Sequence, residues 1–143
     1  MDDKIKFVER EMSKSELKLM NKWFDLQTKK SGNPLLESKR ITITIEDNKK
    51  FIGCATGLTR DSKKYFYLTD LIIDTEYRNQ KLGSKVLKIL EKKIKKQGFK
   101  YIFTHTAKFQ APKFYVQQGY KKFNEMKDWY MSGESRIVFI KKL

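Results

Sequence analysis

The stretch from Tyr65 to Gly98 constrains the fold of this chain more than any other part of the sequence. Residues 65–74 are dense in aromatic and β-branched side chains, a composition typical of a buried strand. After a short polar loop that ends at Gly83, apolar residues recur at helical spacing opposite a lysine-rich face, and Gly98 stands where a helix commonly ends. The stretch therefore predicts a strand, a tight loop and a helix, whose free N-terminal N–H groups suit a phosphate.

The loop and a later segment resemble two motifs of the GNAT N-acetyltransferases. The coenzyme A loop of that family is usually written Arg/Gln-x-x-Gly-x-Gly/Ala. Here it reads Arg78-x-x-Lys81-x-Gly83, so the second small residue is present and a lysine replaces the first glycine. The segment from Gln110 to Tyr120 resembles the family's Ala-x-x-Phe-Tyr-x-x-x-Gly-Phe motif. Because both motifs occur in order and are separated by a predicted strand, the chain is identified as a member of this family.

The resemblance implies a mixed α/β GNAT fold, in which a mostly antiparallel sheet of six to seven strands is flanked by about four helices. It implies a single GNAT domain over residues 1–143, with acetyl-CoA as co-substrate and no metal. For Lys81 two alternatives stay open: it adds a charge to the phosphates, or it weakens binding, because glycine there lets the backbone approach the pyrophosphate. The residues implied to bind the coenzyme are Leu71, Ile72, Ile73, Arg78, Asn79, Gln80, Lys81, Leu82, Gly83, Ser84, Gln110, Lys113 and Phe114.

The resemblance also implies direct transfer of the acetyl group to a primary amine of a small molecule or protein. Tyr115 matches the family tyrosine that protonates the leaving sulfur, and the unperturbed pKa values of tyrosine and thiols lie within roughly two units. Asp70 is the candidate general base, with a water chain as the alternative. Backbone N–H groups near Ile72 and Ile73 are expected to hold the acetyl carbonyl. The structural alternatives are that Tyr115 only packs its helix and that Asp70 only pairs with a lysine.

The acceptor amine is not specified by the sequence, and two other functions stay open. The net charge of +15 is compatible with an RNA- or ribosome-associated acetyltransferase, but lysine supplies most of it and nucleic-acid readers often rely on arginine, so nucleic acid is not favoured. Lys81, together with the absence of the asparagine often found before the family's Phe-Tyr pair, leaves a non-catalytic acetyl-CoA sensor as the second alternative. Gln110 is the candidate to replace that asparagine. Homodimerisation is also left open.

Other features exclude several classes of site. Cys54 is the one cysteine and His105 the one histidine, so an internal disulfide, a zinc site and a histidine-based catalytic group lack partners. No apolar run approaches the roughly 20 residues of a membrane span, and the first four residues do not resemble a signal peptide. We therefore expect a cytoplasmic protein that does not cross a membrane.

The remaining elements follow from periodicity and turn residues. A capping box, Ser13-x-x-Glu16, begins a helix whose Trp23 and Phe24 either pack in the core or line the acceptor pocket. A loop with two aromatic residues, Lys127 to Gly133, is a second candidate wall of that pocket. The predicted strands lie at 5–8, 40–46, 51–58, 101–106, 120–126 and 136–140, in addition to 65–74, and a helix is predicted from about 110 to 118.

Overall fold

The computed structural model describes residues 4–108 and 110–143. These residues form six strands, three α-helices and one short 3-10 helix at Thr75–Tyr77. The chain divides into two units, one up to Leu35 and one from Leu36 to Leu143. In chain order the elements are α1 (Lys14–Lys30), β1 (Arg40–Asp47), β2 (Lys50–Leu58), β3 (Tyr65–Ile73), α2 (Leu82–Lys96), β4 (Tyr101–Ala107), α3 (Pro112–Gln117), β5 (Lys121–Met126) and β6 (Arg136–Lys142).

The first unit consists of an extended segment and α1. The predicted capping box is confirmed: the Ser13 hydroxyl accepts from the Glu16 N–H at 3.2 Å, and the Glu16 carboxylate accepts from the Ser13 N–H at 2.7 Å. Arg10 pairs with the same carboxylate at 2.7 Å, and these bonds lower the pKa of Glu16 to about 2. Within this unit Trp23 and Phe24 are not buried, and 57% and 60% of their surfaces are exposed.

The predicted strand at residues 5–8 is also wrong. The structure assigns no strand there, and Phe7 is 97% exposed. A strand is stable only when its N–H and C=O groups pair with a neighbour, and within the described part of the chain this segment has no backbone hydrogen bond to another strand. The apolar residues of this segment therefore form a local sequence pattern, but the segment has no partner strand among the described residues.

The second unit is built on one sheet with strand order β1-β2-β3-β4-β6-β5. All neighbouring strands are antiparallel except β3 and β4, which run parallel and are joined through α2. A parallel pair requires a crossover of this kind, because a hairpin reverses the chain. Among the described residues, the six strands confirm the predicted sheet, whereas the three α-helices are fewer than the four expected.

One face of the sheet, called here the inner face, carries the core. Phe66 and Leu68 of β3 are fully buried there, against α2. The apolar stripe of α2 is buried as its periodicity predicts, and Gly98, with φ +100°, ends the helix in the left-handed conformation. The opposite face, called the outer face, carries Tyr67 and Phe103 at paired positions of β3 and β4.

Candidate functional site

The central feature of the candidate site is a separation between β3 and β4. The two strands pair from Tyr65 and Tyr101 as far as Leu68 and Thr104, yet both continue beyond this point. At the last paired position the buried Thr104 hydroxyl donates to the Leu68 carbonyl at 2.9 Å. The continuing segments, 69–73 of β3 and 105–107 of β4, enclose an opening that we call the cleft.

A β-bulge in β3 coincides with the start of the cleft. The pairing with β2 steps from Gly57 and Leu68 to Thr56 and Asp70, so Thr69 has no opposite residue. The extra residue reverses the alternation of side chains between the two faces. Leu71 and Ile73 consequently face the core with Phe66 and Leu68, while Asp70 and Ile72 lie on the outer face, where both are exposed.

Arg40 and three threonines hold the bulge in place. Arg40 Nη1 donates to the Thr69 hydroxyl at 3.0 Å and to the Thr56 hydroxyl at 3.1 Å, and Thr69 in turn donates to the Thr56 carbonyl at 3.1 Å. Thr42 and Thr56 share a further hydroxyl contact of 2.6 Å. Sequence analysis missed this network, because the threonines of β1 and β2 look like ordinary exposed strand positions until the register is known.

The loop between β3 and α2 has the backbone that a phosphate site requires. Lys81 is the N-cap of α2 with φ +59° and ψ +22°, and its side chain makes no capping hydrogen bond. The first backbone bond of the helix runs from Lys85 N to Lys81 O at 3.1 Å. No backbone hydrogen bond is found for the N–H groups of residues 82–84 within the described part of the chain, so these donors remain available for an anion. The N-terminus of α2 therefore fits a pyrophosphate.

The rest of the loop is fixed by contacts at both ends. The Tyr77 hydroxyl donates to the Asp47 carboxylate at 2.8 Å, which ties the loop to the β1–β2 turn. The Asp74 carboxylate accepts from the Glu76 N–H at 3.1 Å. Arg78 lies back over the end of β3, with Nε 3.4 Å from the Ile73 carbonyl. The predicted coenzyme residues of the loop are thus brought beside the end of β3, whose Leu71, Ile72 and Ile73 were also predicted.

Gly83 and Phe114 bring α2, β3 and α3 together. A β-carbon on Gly83 would lie 3.5 Å from the Leu71 side chain and 3.6 Å from the Phe114 ring, so a methyl group fits but a larger side chain would push these elements apart. The Gln110 side-chain oxygen accepts from the Ala107 N–H at 3.2 Å and closes the end of β4. Lys113 is exposed on α3.

Tyr115 is buried on the inner side of the cleft. Its ring, 7% exposed, packs against Phe114, Tyr120 and Phe139 at centroid distances of 5.2, 5.4 and 5.8 Å. Burial raises the pKa of Tyr115 above its ordinary value, a side-chain hydrogen bond with Thr104 lowers it, and the Asp70 charge raises it again. Tyr115 therefore keeps its proton at neutral pH and lies close to the point where the strands separate.

His105 lies on the outer face directly beyond Thr104, and we predict that it titrates below the ordinary range. Burial, and then the charge of Arg136, lower its pKa. Because the folded state binds this proton more weakly than the unfolded state, stability should increase with pH from the lowered pKa up to about 6.5. An NMR titration of the imidazole of wild type and Arg136→Gln checks this, since removing the guanidinium should raise the midpoint. Equal midpoints would exclude any contribution of Arg136.

The described residues contain no group of three or more side chains suited to hold a metal ion. Among the helices of the same ranges, none has the length and apolar character needed to cross a membrane. What the site provides is free backbone N–H groups at a helix start, a cleft between two strands, and one protonated phenol beside it.

Comparisons with known proteins agree with this geometry. The model of the Acetyltransferase (GNAT) family matches residues 7–120. An acetyltransferase structure from Bacillus cereus ATCC 14579 is 23% identical with a TM-score of 0.81, over 96% of this chain and 98% of that one. An aminoglycoside 6'-N-acetyltransferase complexed with coenzyme A is 16% identical with a TM-score of 0.66, over 87% and 86%. A protein from Bacillus anthracis str. Ames in complex with acetyl coenzyme A is 20% identical with a TM-score of 0.65, over 73% and 62%. No curated protein sequence matches significantly.

Proposed function

Because this chain belongs to the GNAT acetyltransferase family, we propose that it transfers the acetyl group of acetyl-CoA directly to a primary amine of a small molecule or protein at the cleft. The observation that carries the proposal is the separation of β3 and β4 after Leu68 and Thr104, directly beside the free N-terminus of α2. A thioester bound there needs no nucleophile of the protein, because the amine attacks it within one complex.

The proposed coenzyme residues contribute in two ways, through backbone N–H groups and through charged side chains. The N–H groups of residues 82–84 and the positive end of the α2 dipole suit the pyrophosphate, and in our proposal the exposed Arg78 and Lys113 add positive charge to this site. Beyond Leu68 the edge of β3 that faced β4 is unpaired, so backbone N–H groups near Ile72 and Ile73 support the acetyl carbonyl in our proposal.

Tyr115 and Asp70 supply the proton transfers in the proposed reaction. Asp70, on the outer face, takes a proton from the incoming ammonium. The C–N bond forms as the C–S bond breaks, and buried Tyr115 gives its proton to the leaving sulfur. The newly acylated nitrogen loses its extra proton to solvent, Tyr115 takes a proton back from solvent, and Asp70 releases the one it took, so the net reaction frees one proton. The influence of Asp70 on the pKa of Tyr115 supports a position of both groups near one cleft.

Addition of acetyl-CoA should stabilise the fold. At 100 times its dissociation constant, a ligand that binds only the folded state adds about 2.7 kcal/mol to the free energy of unfolding. For a domain of this size, that corresponds to a rise in Tm of several degrees, measurable by calorimetry or dye fluorescence. An unchanged Tm at millimolar acetyl-CoA would contradict both the enzymatic function and the alternative of a coenzyme sensor.

Lys81→Gly should stabilise the protein without coenzyme. The left-handed conformation of Lys81 costs a side-chain-bearing residue on the order of 1 kcal/mol, and glycine avoids most of this cost. After the larger chain entropy of unfolded glycine is subtracted, we expect a gain of up to about 1 kcal/mol by denaturant unfolding. Lys81→Ala is the matched control, because it keeps the β-carbon and removes the charge. If coenzyme binding is weaker in Lys81→Ala alone, the Lys81 ammonium contacts the phosphates of the coenzyme. A loss of stability in Lys81→Gly would contradict the strain argument.

A further inference from the structure

The outer face contains a groove that the proposed chemistry leaves unassigned. It has a volume of about 400 Å³ and is lined by Tyr65, Phe103, His105, Phe123, Val138 and Ile140. Five of these six side chains are apolar or aromatic, and His105 is the polar exception. The volume lies within the range of pockets that hold small molecules, which are typically apolar with a few placed polar groups.

A row of stacked rings borders this groove along β4, where Phe103 is one of the lining residues. Tyr67 and Phe103 stack with centroids 4.9 Å apart and planes 8° apart, and Tyr65 and Tyr101 stack at 4.7 Å. His105 meets the edge of this array, 5.4 Å from the Tyr67 ring. Because Tyr67 stacks against Phe103, the Phe103 ring is held in place at the border of the groove, which favours packing of another flat ring beside it.

Two buried nitrogens at one end of the groove have no hydrogen-bond partner among the described residues: His105 Nδ1 and Arg136 Nε. Both residues point to the outer face from neighbouring positions of β4 and β6, where His105 pairs with Val138 and Ala107 with Arg136. The Arg136 guanidinium is kept in place by the Trp129 ring, 5.1 Å away. An unsatisfied buried polar group is costly, so an oxygen acceptor on a ligand would gain affinity at this end.

The groove is continuous with the cleft. His105 follows Thr104, the last residue of β4 that pairs with β3, and Asp70 lies on the same face across the opening. A molecule lying along the groove can therefore place an amine at the cleft. The charge of the protein further restricts the class of acceptor amine. Arg136 and the net charge of +15 disfavour an acceptor with several positive charges.

We propose that this groove binds the acceptor, an amine carried on an aromatic group that also bears a carboxylate or carbonyl oxygen. The role of the molecule as acceptor rests on the proposed transferase function. Its binding in the groove can be measured without turnover. The ligand ring packs beside Phe103 in the groove, the oxygen accepts from Arg136, and the amine points to the cleft.

The test follows the imidazole signals of His105 by NMR, because it is the one histidine of the chain. Phenylalanine should shift these signals with an affinity about tenfold higher than phenethylamine, which lacks the carboxylate, and than alanine, which lacks the ring. Spermidine, a polycation without a ring, should produce no shift. Equal affinities for phenylalanine and alanine, or no shift with phenylalanine, would overturn the proposal.

Truncations at two exposed positions, Phe123 and Ile89, test the groove with little effect on folding. Phe123, 71% exposed, forms part of the groove, so Phe123→Ala should weaken phenylalanine binding several-fold, whereas Ile89→Ala, a truncation at a 55% exposed position on α2, should leave it unchanged. Arg136→Gln should remove the preference for phenylalanine over phenethylamine. Similar losses in Phe123→Ala and Ile89→Ala would overturn the assignment.

Further measurements separate this proposal from the transferase function and from self-association. If His105 signals change with protein concentration alone, the groove binds a second copy and the acceptor proposal fails. If acetyl transfer to some amine occurs while no aromatic amine moves His105, the function stands and the groove assignment fails. If phenylalanine binds in the groove but no transfer is detected with any amine, the groove assignment stands as a binding site and the transferase function fails.

Discussion

Tyr115→Phe should lower kcat by about 100-fold to 10,000-fold while leaving the affinity for coenzyme nearly unchanged. The substitution keeps the ring, and therefore the packing against Tyr120 and Phe139, but removes the proton for the leaving sulfur. General acid catalysis contributes on this scale, and a group that acts only in the transition state changes kcat rather than binding. Steady-state kinetics by thiol release, with coenzyme binding measured separately, give both quantities.

Tyr120→Phe is the matched control for this experiment. Tyr120 is buried beside Tyr115, and its hydroxyl has no hydrogen-bond partner among the described residues. Removing that hydroxyl should leave kcat unchanged and the fold at least as stable, because an unsatisfied buried group is lost. Full activity of Tyr115→Phe would show that water or another group protonates the sulfur. Equal losses in both variants would assign Tyr115 to packing.

Asp70→Asn should lower kcat by about 100-fold or more near neutral pH if Asp70 deprotonates the amine. The variant keeps the shape of the side chain and removes its basicity. As the pH approaches the pKa of the free amine, more acceptor arrives deprotonated, so the difference from wild type should shrink. Rates over pH 6 to about 9 check this, a range below the ordinary pKa of tyrosine, and burial raises the pKa of Tyr115 further.

The control for Asp70→Asn is Asp61→Asn, which removes an exposed carboxylate from the turn before β3 and should leave the rate unchanged. A loss of activity in Asp70→Asn that stays constant across the pH range would point to an electrostatic role instead of proton transfer. Full activity at neutral pH would favour the water chain as the base.

The sequence predicted those parts of the fold that depend on local patterns. The capping box at Ser13 and the left-handed glycine at Gly98 are confirmed because caps are determined by a few neighbouring residues. The aromatic strand and the amphipathic α2 were found because periodicity reveals which face is buried. The prediction of a strand at residues 5–8 was wrong because a strand needs a partner that is distant in sequence. A four-residue pattern does not show whether such a partner exists.

The geometry of the candidate site depended on register, which the sequence does not reveal. The bulge at Thr69 decides that Asp70 faces outward and Leu71 inward, and a shift by one residue would exchange them. Lys81 was recognised as a departure from the family motif, but only its left-handed conformation explains why that motif has glycine there. His105 was expected to lack partners for a histidine-based site, and its place beside Arg136 on an aromatic groove required the pairing of β4 with β6.

The most direct test of the account is to count products after wild-type protein is mixed with labelled acetyl-CoA and a panel of amines. The account predicts one N-acetylated amine for each free thiol released, with no label retained on the protein, because transfer occurs within one complex. Mass spectrometry of the amine and of the intact protein, together with a thiol assay, measures all three quantities. Tight binding of acetyl-CoA without any acetylated amine, or label attached to the protein as an obligatory intermediate, would contradict it.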